Sequence, residues 1–295
     1  MALEQVWQRI DQQYGAFSPQ LQRAARFVRQ HPQEVALNSL RTVAGTAGVS
    51  PAAITRLLHA LDVETWGAFQ ADHRTWLMAG REGVFSSRAG RLISDTRQPG
   101  AEDALLDAIT AAEEANVRAA LDPELHGGLR EAAELLAAAP AVAIAGIRSC
   151  FPVAFSLHYS LSLFMPGARL MAAAGTGLLD ELHHLRADDA VVVISVRPYS
   201  HETVELARLA RERGVRVVGI TDGPLTPVAR LSDVALVAAN DSPAHIASPI
   251  GPIAVAQALA TLVLARSGAD ALDTLRRREA TLDAISAYLP EESTP

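Results

Sequence analysis

Lysine is absent from this chain: all 26 basic side chains are arginine. Guanidinium groups suit bidentate recognition of phosphate and carboxylate better than ammonium groups do, although codon bias alone also produces such a composition. Cysteine is nearly absent too. The single Cys150 excludes an internal disulfide and a cysteine-based zinc site. Neither a metal nor a cofactor is expected. No run of roughly 18 uncharged apolar residues exists to span a membrane. Met1–Ile10 lacks a basic-then-apolar leader pattern, which leads us to expect a cytoplasmic protein with no membrane partner. What is present is ample core material. The chain has 295 residues, of which 49% are hydrophobic and 20% charged. That is enough for a domain of about 150–200 residues and a smaller companion.

Charge is divided unevenly. Residues 1–80 hold seven arginines against six acids, a net of +1, and the remainder holds 19 arginines against 27 acids, a net of −8. The asymmetry favours the N-terminal part as the one that meets polyanions, but a net of +1 neutralises few phosphates and implies modest non-specific affinity.

Residues 39–61 are the most specific local pattern. Leu40, Val43, Ala44 and Ala47 recur at spacings of three and four, marking one buried helical face. Gly48 falls where a helix ends in a left-handed residue, Ser50 can cap the next helix, and Pro51 stands at its first position. Two short helices about a glycine-containing turn form a helix-turn-helix, whose second helix enters the DNA major groove; an ordinary helical hairpin in a core has the same pattern. In the second helix Leu57, Leu58 and Leu61 are the expected core face. Ala52, Ala53, Thr55, Arg56 and His59 are expected on or near the opposite face, with Ser50 at the start. Arg56 has the chemistry for a guanine edge or a phosphate, or alternatively for an internal acid. Arg41 and Thr42 on the preceding helix are placed for phosphate contact.

After a stretch rich in Gly, Ser and Pro at 81–100, which reads largely as a connector, helical patterns occupy 101–120 and 124–139. The rhythm then changes. Ala141–Gly146, Ala190–Ser195, Val215–Thr221 and Val234–Ala238 are continuous β-branched apolar runs, and Arg169–Ala172 adds a further candidate strand. Such runs fit strands buried on both faces. Helical patterns between them (151–164, 178–185, 201–213 and 250–265) predict βαβ units, with a last helix at 269–289. The expected architecture is an all-α helix-turn-helix domain at 1–80, a linker and connecting helix at 81–123, and a doubly wound α/β domain at 124–295. Ligands in such sheets bind outside the carboxyl ends of the strands, so loops 146–150, 172–177, 195–200 and 240–249 hold the candidate site.

Three stretches together resemble the RpiR family of bacterial transcription regulators. They are Ser18–Val28 with His31-Pro32 behind it, Ala47–Leu61 closing with Trp66 and Phe69, and Asp189–Ser195 leading to Ser200 and Glu202-Thr203-Val204. The resemblance covers nearly the whole chain. It implies a helix-turn-helix domain that binds double-stranded operator DNA, followed by a sugar isomerase (SIS) domain that binds an effector, in a homodimer or higher homo-oligomer. Catalytic residues are not expected. Several positions depart from the family pattern. His59 and Ala60 stand where a basic pair is usual, and Asp62 where a glycine ends the helix. In the first SIS loop, G-x-G-x-S becomes Gly146-Ile147-Arg148-Ser149-Cys150. In the third-strand loop Arg197 replaces a serine and Pro198 a glycine.

The resemblance places effector contacts on Arg148, Ser149, Ser195, Arg197, Tyr199, Ser200 and Thr203. The serines can hold an anion together with helix N-termini, or simply cap helices. The two arginines can bind the anion or pair internally, for example with Glu202. Asp241, Ser242, His245 and Ser248 could close the pocket. Two other functions fit the same sequence. One is a sugar-phosphate isomerase or lyase, with Glu181, Glu202 or His245 as base; the other is a structural DNA-binding protein in which the α/β domain serves only to oligomerise.

Overall fold

The computed structural model describes residues 3–82, 84–96, 100–171 and 180–289. Among the described residues nine α-helices precede the first strand: α1 (Leu3–Gln13), α2 (Pro19–Gln30), α3 (Pro32–Leu37), α4 (Leu40–Thr46), α5 (Pro51–Ala60), α6 (Trp66–Glu82), α7 (Val84–Asp95), α8 (Ala101–Ala120) and α9 (His126–Ala138). There follow β1 (Val142–Ala145), α10 (Phe151–Ser162), β2 (Ala168–Met171), β3 (Ala190–Ile194), α11 (His201–Glu212), β4 (Arg216–Thr221), α12 (Pro227–Leu231), β5 (Val234–Val237), α13 (Ile250–Arg266) and α14 (Gly268–Ala284). The chain divides into two compact units. One comprises 1–110 with the short segments 223–226 and 242–246; the other comprises 111–222, 227–241 and 247–295. The boundary falls inside α8.

The first unit is all-α. Its core gathers Val6, Trp7 and Ile10 of α1, Ala24, Ala25 and Val28 of α2, Val43 and Ala44 of α4, Ile54, Leu57 and Leu58 of α5, and Phe69 of α6. The segment 84–95, which reads as connector, is helical instead. Ser86, Ser87 and Gly90 are weak helix formers, but each costs under about 1 kcal/mol, and no proline interrupts them.

The second unit is built on a five-stranded, all-parallel sheet of order β2-β1-β3-β4-β5. Every residue of β1 and β3 is buried, because both faces are covered. Ile144, Val192, Ile194, Val218 and Ile220 face a core completed by α9, α10 and α13. Ala143, Ala145, Val191, Val193 and Val217 point the other way, toward Leu206, Ala207 and Ala210 of α11 and Val228 of α12. The strands expected from apolar runs are all present, each within one or two residues of its predicted bounds. The helix expected at 178–185 is a 3-10 turn, Asp180–His184, within the described residues. The last helix stops at Ala284, short of 289. Loop 172–177 lies outside the described residues. Among the described residues no single helix is long and apolar enough to cross a membrane.

One titratable group is enclosed in the helical core. His73 is fully buried, edge-on to Phe69 at 4.4 Å and to Trp7 at 6.4 Å between ring centroids. Its Nδ1–H donates to the Phe69 carbonyl at 2.8 Å, while Nε2 has no hydrogen-bond partner among the described residues, which describes a neutral ring. Desolvation holds its pKa down at about 4, against a smaller upward effect of the Phe69 carbonyl. The unfolded chain therefore binds a proton below pH 6.5 that the folded chain refuses until about pH 4. Stability of the helical unit should fall across that window by up to about 3 kcal/mol. Urea midpoints between pH 7 and pH 4 should show this loss, and a His73→Phe variant should lose much less.

Candidate DNA-facing helix and anion site

In the first unit, capping chemistry sets the geometry. The Ser39 hydroxyl accepts from the Thr42 amide at 3.2 Å and opens α4. The turn closes through Gly48 at φ 63°, with the Val49 amide bonded to the Ala44 carbonyl at 3.0 Å. Ser50 then caps α5 through the Ala53 amide, also at 3.2 Å, and Pro51 follows at the first helical position. Arg23 of α2 donates to the Gly48 carbonyl at 3.4 Å. Val43 and Ala44 of α4, Ile54, Leu57 and Leu58 of α5, and the residues that end the two helices, Ala47 and Leu61, are buried. Exposed are Ser50, Ala52, Thr55, Arg56 and His59, together with Arg41 and Thr42. The positions 52, 55, 56 and 59 form one stripe at i, i+3, i+4 and i+7. Arg56 has no internal acid partner among the described residues.

Ala53 is the correction on this helix. It is fully buried, one turn before Leu57 and on the same side, so it packs the core and offers nothing outward. Asp62, the departure from the glycine pattern, keeps the glycine's backbone at φ 53°. Arg9 explains how this is tolerated: its guanidinium donates to both the Asp62 carboxylate and the Leu61 carbonyl at 2.9 Å, closing the end of α5. Neither Arg9 nor Arg23 is distinguishable by sequence pattern from any other surface arginine.

In the second unit, β1 leads outward to β2 on one side and β3 leads to β4 on the other. The switch point of the sheet therefore lies between the carboxyl ends of β1 and β3, where such folds bind ligands. The two loops there touch. A Cβ on Gly146 would come within 2.9 Å of the Cys150 carbonyl oxygen and 3.0 Å of the Ala154 Cβ, so only glycine fits. Cys150 is buried beneath the loop. Desolvation pushes its thiol up, the Val196 amide and the Ser149 hydroxyl beside it pull the other way, and the Asp222 charge adds to the rise. Burial and a raised thiol suit a packing role.

Arg148 and Ser149 are exposed on this loop. Arg148 adopts φ 56°, the left-handed conformation natural to the glycine it replaces. Its guanidinium has no ion pair among the described residues. Across the switch point, the Arg197 guanidinium lies over the Tyr199 ring at 5.5 Å, and its amide donates to the Asp222 carboxylate at 3.4 Å. The Arg197–Pro198 bond is cis. Glu202, the internal partner considered for both arginines, makes no ion pair among the described residues.

The hydroxyls divide into separate roles. Ser200 caps α11 by accepting from the Thr203 amide at 3.4 Å, and its own amide donates to the Ser195 hydroxyl at 3.2 Å. Ser195 is 2% exposed, and its carbonyl accepts from the Thr221 hydroxyl at 2.8 Å. Ser195 thus braces the loop from below rather than standing on its surface. Thr203 is fully buried and its hydroxyl has no partner among the described residues. Asp222 was missed by sequence reading, although its place directly after β4 was the available signal. His245 is exposed on the loop after β5, and Ser248 is buried.

An all-α unit carrying a capped helix-turn-helix and a second unit built on a doubly wound parallel sheet give the chain a two-part architecture. The SIS domain model matches residues 135–265. Over 99% of both chains, the sequence is 26% identical to the HTH-type transcriptional regulator HexR of Pseudomonas aeruginosa. The sugar isomerase domain of an RpiR transcription factor from Sphaerobacter thermophilus is 30% identical, with a TM-score of 0.54, and the match covers 60% of this chain and 98% of that one. The Vibrio vulnificus NanR protein, solved with ManNAc-6P, shares the fold over 96% of this chain and all of its own, at 19% identity and a TM-score of 0.50. The chain belongs to the RpiR family of transcription regulators.

The left-handed Arg148 makes a direct test possible. A non-glycine residue there costs about 1 kcal/mol or more in backbone strain. Arg148→Gly should therefore leave the urea midpoint unchanged or raise stability by up to about 1 kcal/mol. A clear loss would show that the guanidinium holds the fold together.

Proposed function

We propose that this protein is a ligand-responsive, DNA-binding regulator in the cytoplasm, without catalytic activity. In this reading residues 1–80 bind double-stranded operator DNA, 81–123 connect, and 124–295 bind an anionic effector and hold a homodimer or higher homo-oligomer together. The observation that carries the DNA half is the exposed stripe Ala52, Thr55, Arg56 and His59 on a helix capped at both ends. Arg56 contacts a base edge or phosphate, and the small Ala52 and Thr55 allow close approach to thymine methyl groups. Ser50, Arg41 and Thr42 supply backbone contacts, and Ala53 acts only through packing. Arg56→Ala should weaken operator binding by about 1–3 kcal/mol in a fluorescence-anisotropy titration, with thermal stability unchanged.

Support for the effector half comes from Arg148, on the loop that leads into α10, and Arg197, on the loop that leads into α11, at the two sides of the switch point. Ser149 and Tyr199 stand beside them, and Ser195, Ser200 and Thr203 shape the loop from below. Two fixed positive charges favour a strongly anionic ligand, a sugar phosphate bearing an acid group or another carboxylate metabolite, over a neutral sugar, because charge-assisted bonds are roughly twice as strong as neutral ones. Calorimetry with 6-phosphogluconate, glucose 6-phosphate and glucose should give affinities in that order. Arg197→Ser should lower the first most and leave operator affinity without ligand nearly unchanged. Tight binding of glucose, undiminished in that variant, would overturn the reading, and conversion of glucose 6-phosphate to its ketose would favour the isomerase alternative. Self-association is supported by the row Phe151, Phe155 and Tyr159, which leaves three large rings 40–52% exposed along one side of α10.

A further inference from the structure

The loop that follows β5 is fastened to α8 by a network of polar side chains. Asn116 of α8 is 1% exposed, the least accessible amide side chain among the described residues. Its Nδ2 donates to the Asp241 carbonyl at 2.8 Å, and its Oδ1 accepts from the Asp241 amide at 3.0 Å, as a neighbouring strand would. The same Nδ2 donates to the Glu113 carboxylate at 3.1 Å. That carboxylate also accepts from the buried Ser248 hydroxyl at 2.6 Å. Ser248 in turn accepts from the Ile250 amide at 3.0 Å, and its own amide donates to the Asn240 carbonyl, also at 3.0 Å. The fastening is sterically close as well, since a Cβ on Gly251 would collide with the Ala239 carbonyl at 1.9 Å. Both ends of the loop, at 239–241 and 248–251, are thus tied to one turn of α8.

Position gives this network a consequence. The loop leaves the carboxyl end of β5, the edge strand of the sheet, and leads into α13, which packs beside α10, the helix that follows the Arg148 loop. α8 is the helix within which the boundary between the two compact units falls. We propose that Asn116 and Glu113 are positioning residues that transmit ligand occupancy at the switch point, through the loop after β5, to α8. They touch neither ligand nor DNA. This rests on the effector reading above.

The test uses the full-length chain and Asn116→Leu, a substitution close in size that cannot bond. Losing these paired buried bonds should raise local opening by about tenfold or more. In hydrogen exchange without ligand, amides at 239–241 and 248–250 should lose protection together with those at 113–120. Retained protection at 113–120 would overturn the proposal. With 6-phosphogluconate as probe, the variant should bind it within about threefold of the wild type, while the effect of the probe on operator affinity largely disappears. An unchanged effect would overturn the proposal, as would probe affinity and operator affinity falling together, since that marks simple misfolding. Ser248→Ala should reproduce the phenotype and add little to Asn116→Leu, as members of one network do. A wild-type chain that does not respond to the probe counts against the effector reading, and the exchange experiment then decides the network by itself.

Discussion

A parallel sheet covered on both faces has one place to put chemistry: the ends of its strands. Every side chain of β1 and β3 is committed to packing, so neither strand can present a polar group along its length. The loops that leave their carboxyl ends carry the arginines and the serines, and Asp222 follows β4 beside the second of them. The strand order decides which loops converge, because the crossovers from β1 and β3 depart in opposite directions and leave a gap between them. Gly146 sets how closely the loops approach, and Ser195 and Ser200 hold the second loop's shape.

The helical unit solves a different problem by similar means. A short helix is stable only when its ends are satisfied and one side is buried. α4 and α5 are seven and ten residues long. Ser39, Gly48, Ser50 and the Arg9–Asp62 pair supply the ends, and Ile54, Leu57 and Leu58 supply the side. What remains outside is a narrow stripe whose composition owes nothing to folding.

Most of this architecture is legible without coordinates because the signals are of the kind that burial imposes. Val191-Val192-Val193-Ile194 cannot be anything but interior, and Ser50-Pro51 can only begin a helix. Legibility fails where a residue type is indifferent to its surroundings. Alanine fits the core and the surface equally well, so Ala52 and Ala53 look alike in sequence although one is exposed and the other wholly buried. It fails also where the decisive partner is distant. Asn116 lies in an alanine-rich helix with its partner Asp241 125 residues away. Ser86, Ser87 and Gly90 suggest a break in 84–95, but weak helix formers without a proline do not outweigh packing. In the candidate site the residue types were readable while their division of labour was not. Which serine faces outward depends on loop geometry that spacing does not encode.

Asp62 and Arg148 share a further property. Each stands where the pattern of the family that the chain resembles has glycine, and each adopts a left-handed backbone. The fold dictates the torsion at these sites and is nearly indifferent to the side chain mounted there, at a cost of about 1 kcal/mol. Such positions behave as sockets. A charge can be plugged into the mouth of the sheet, or removed from it, in a single substitution and without re-routing the chain. Within this architecture ligand chemistry can therefore drift much faster than shape, and two chains with superimposable loops can recognise quite different anions.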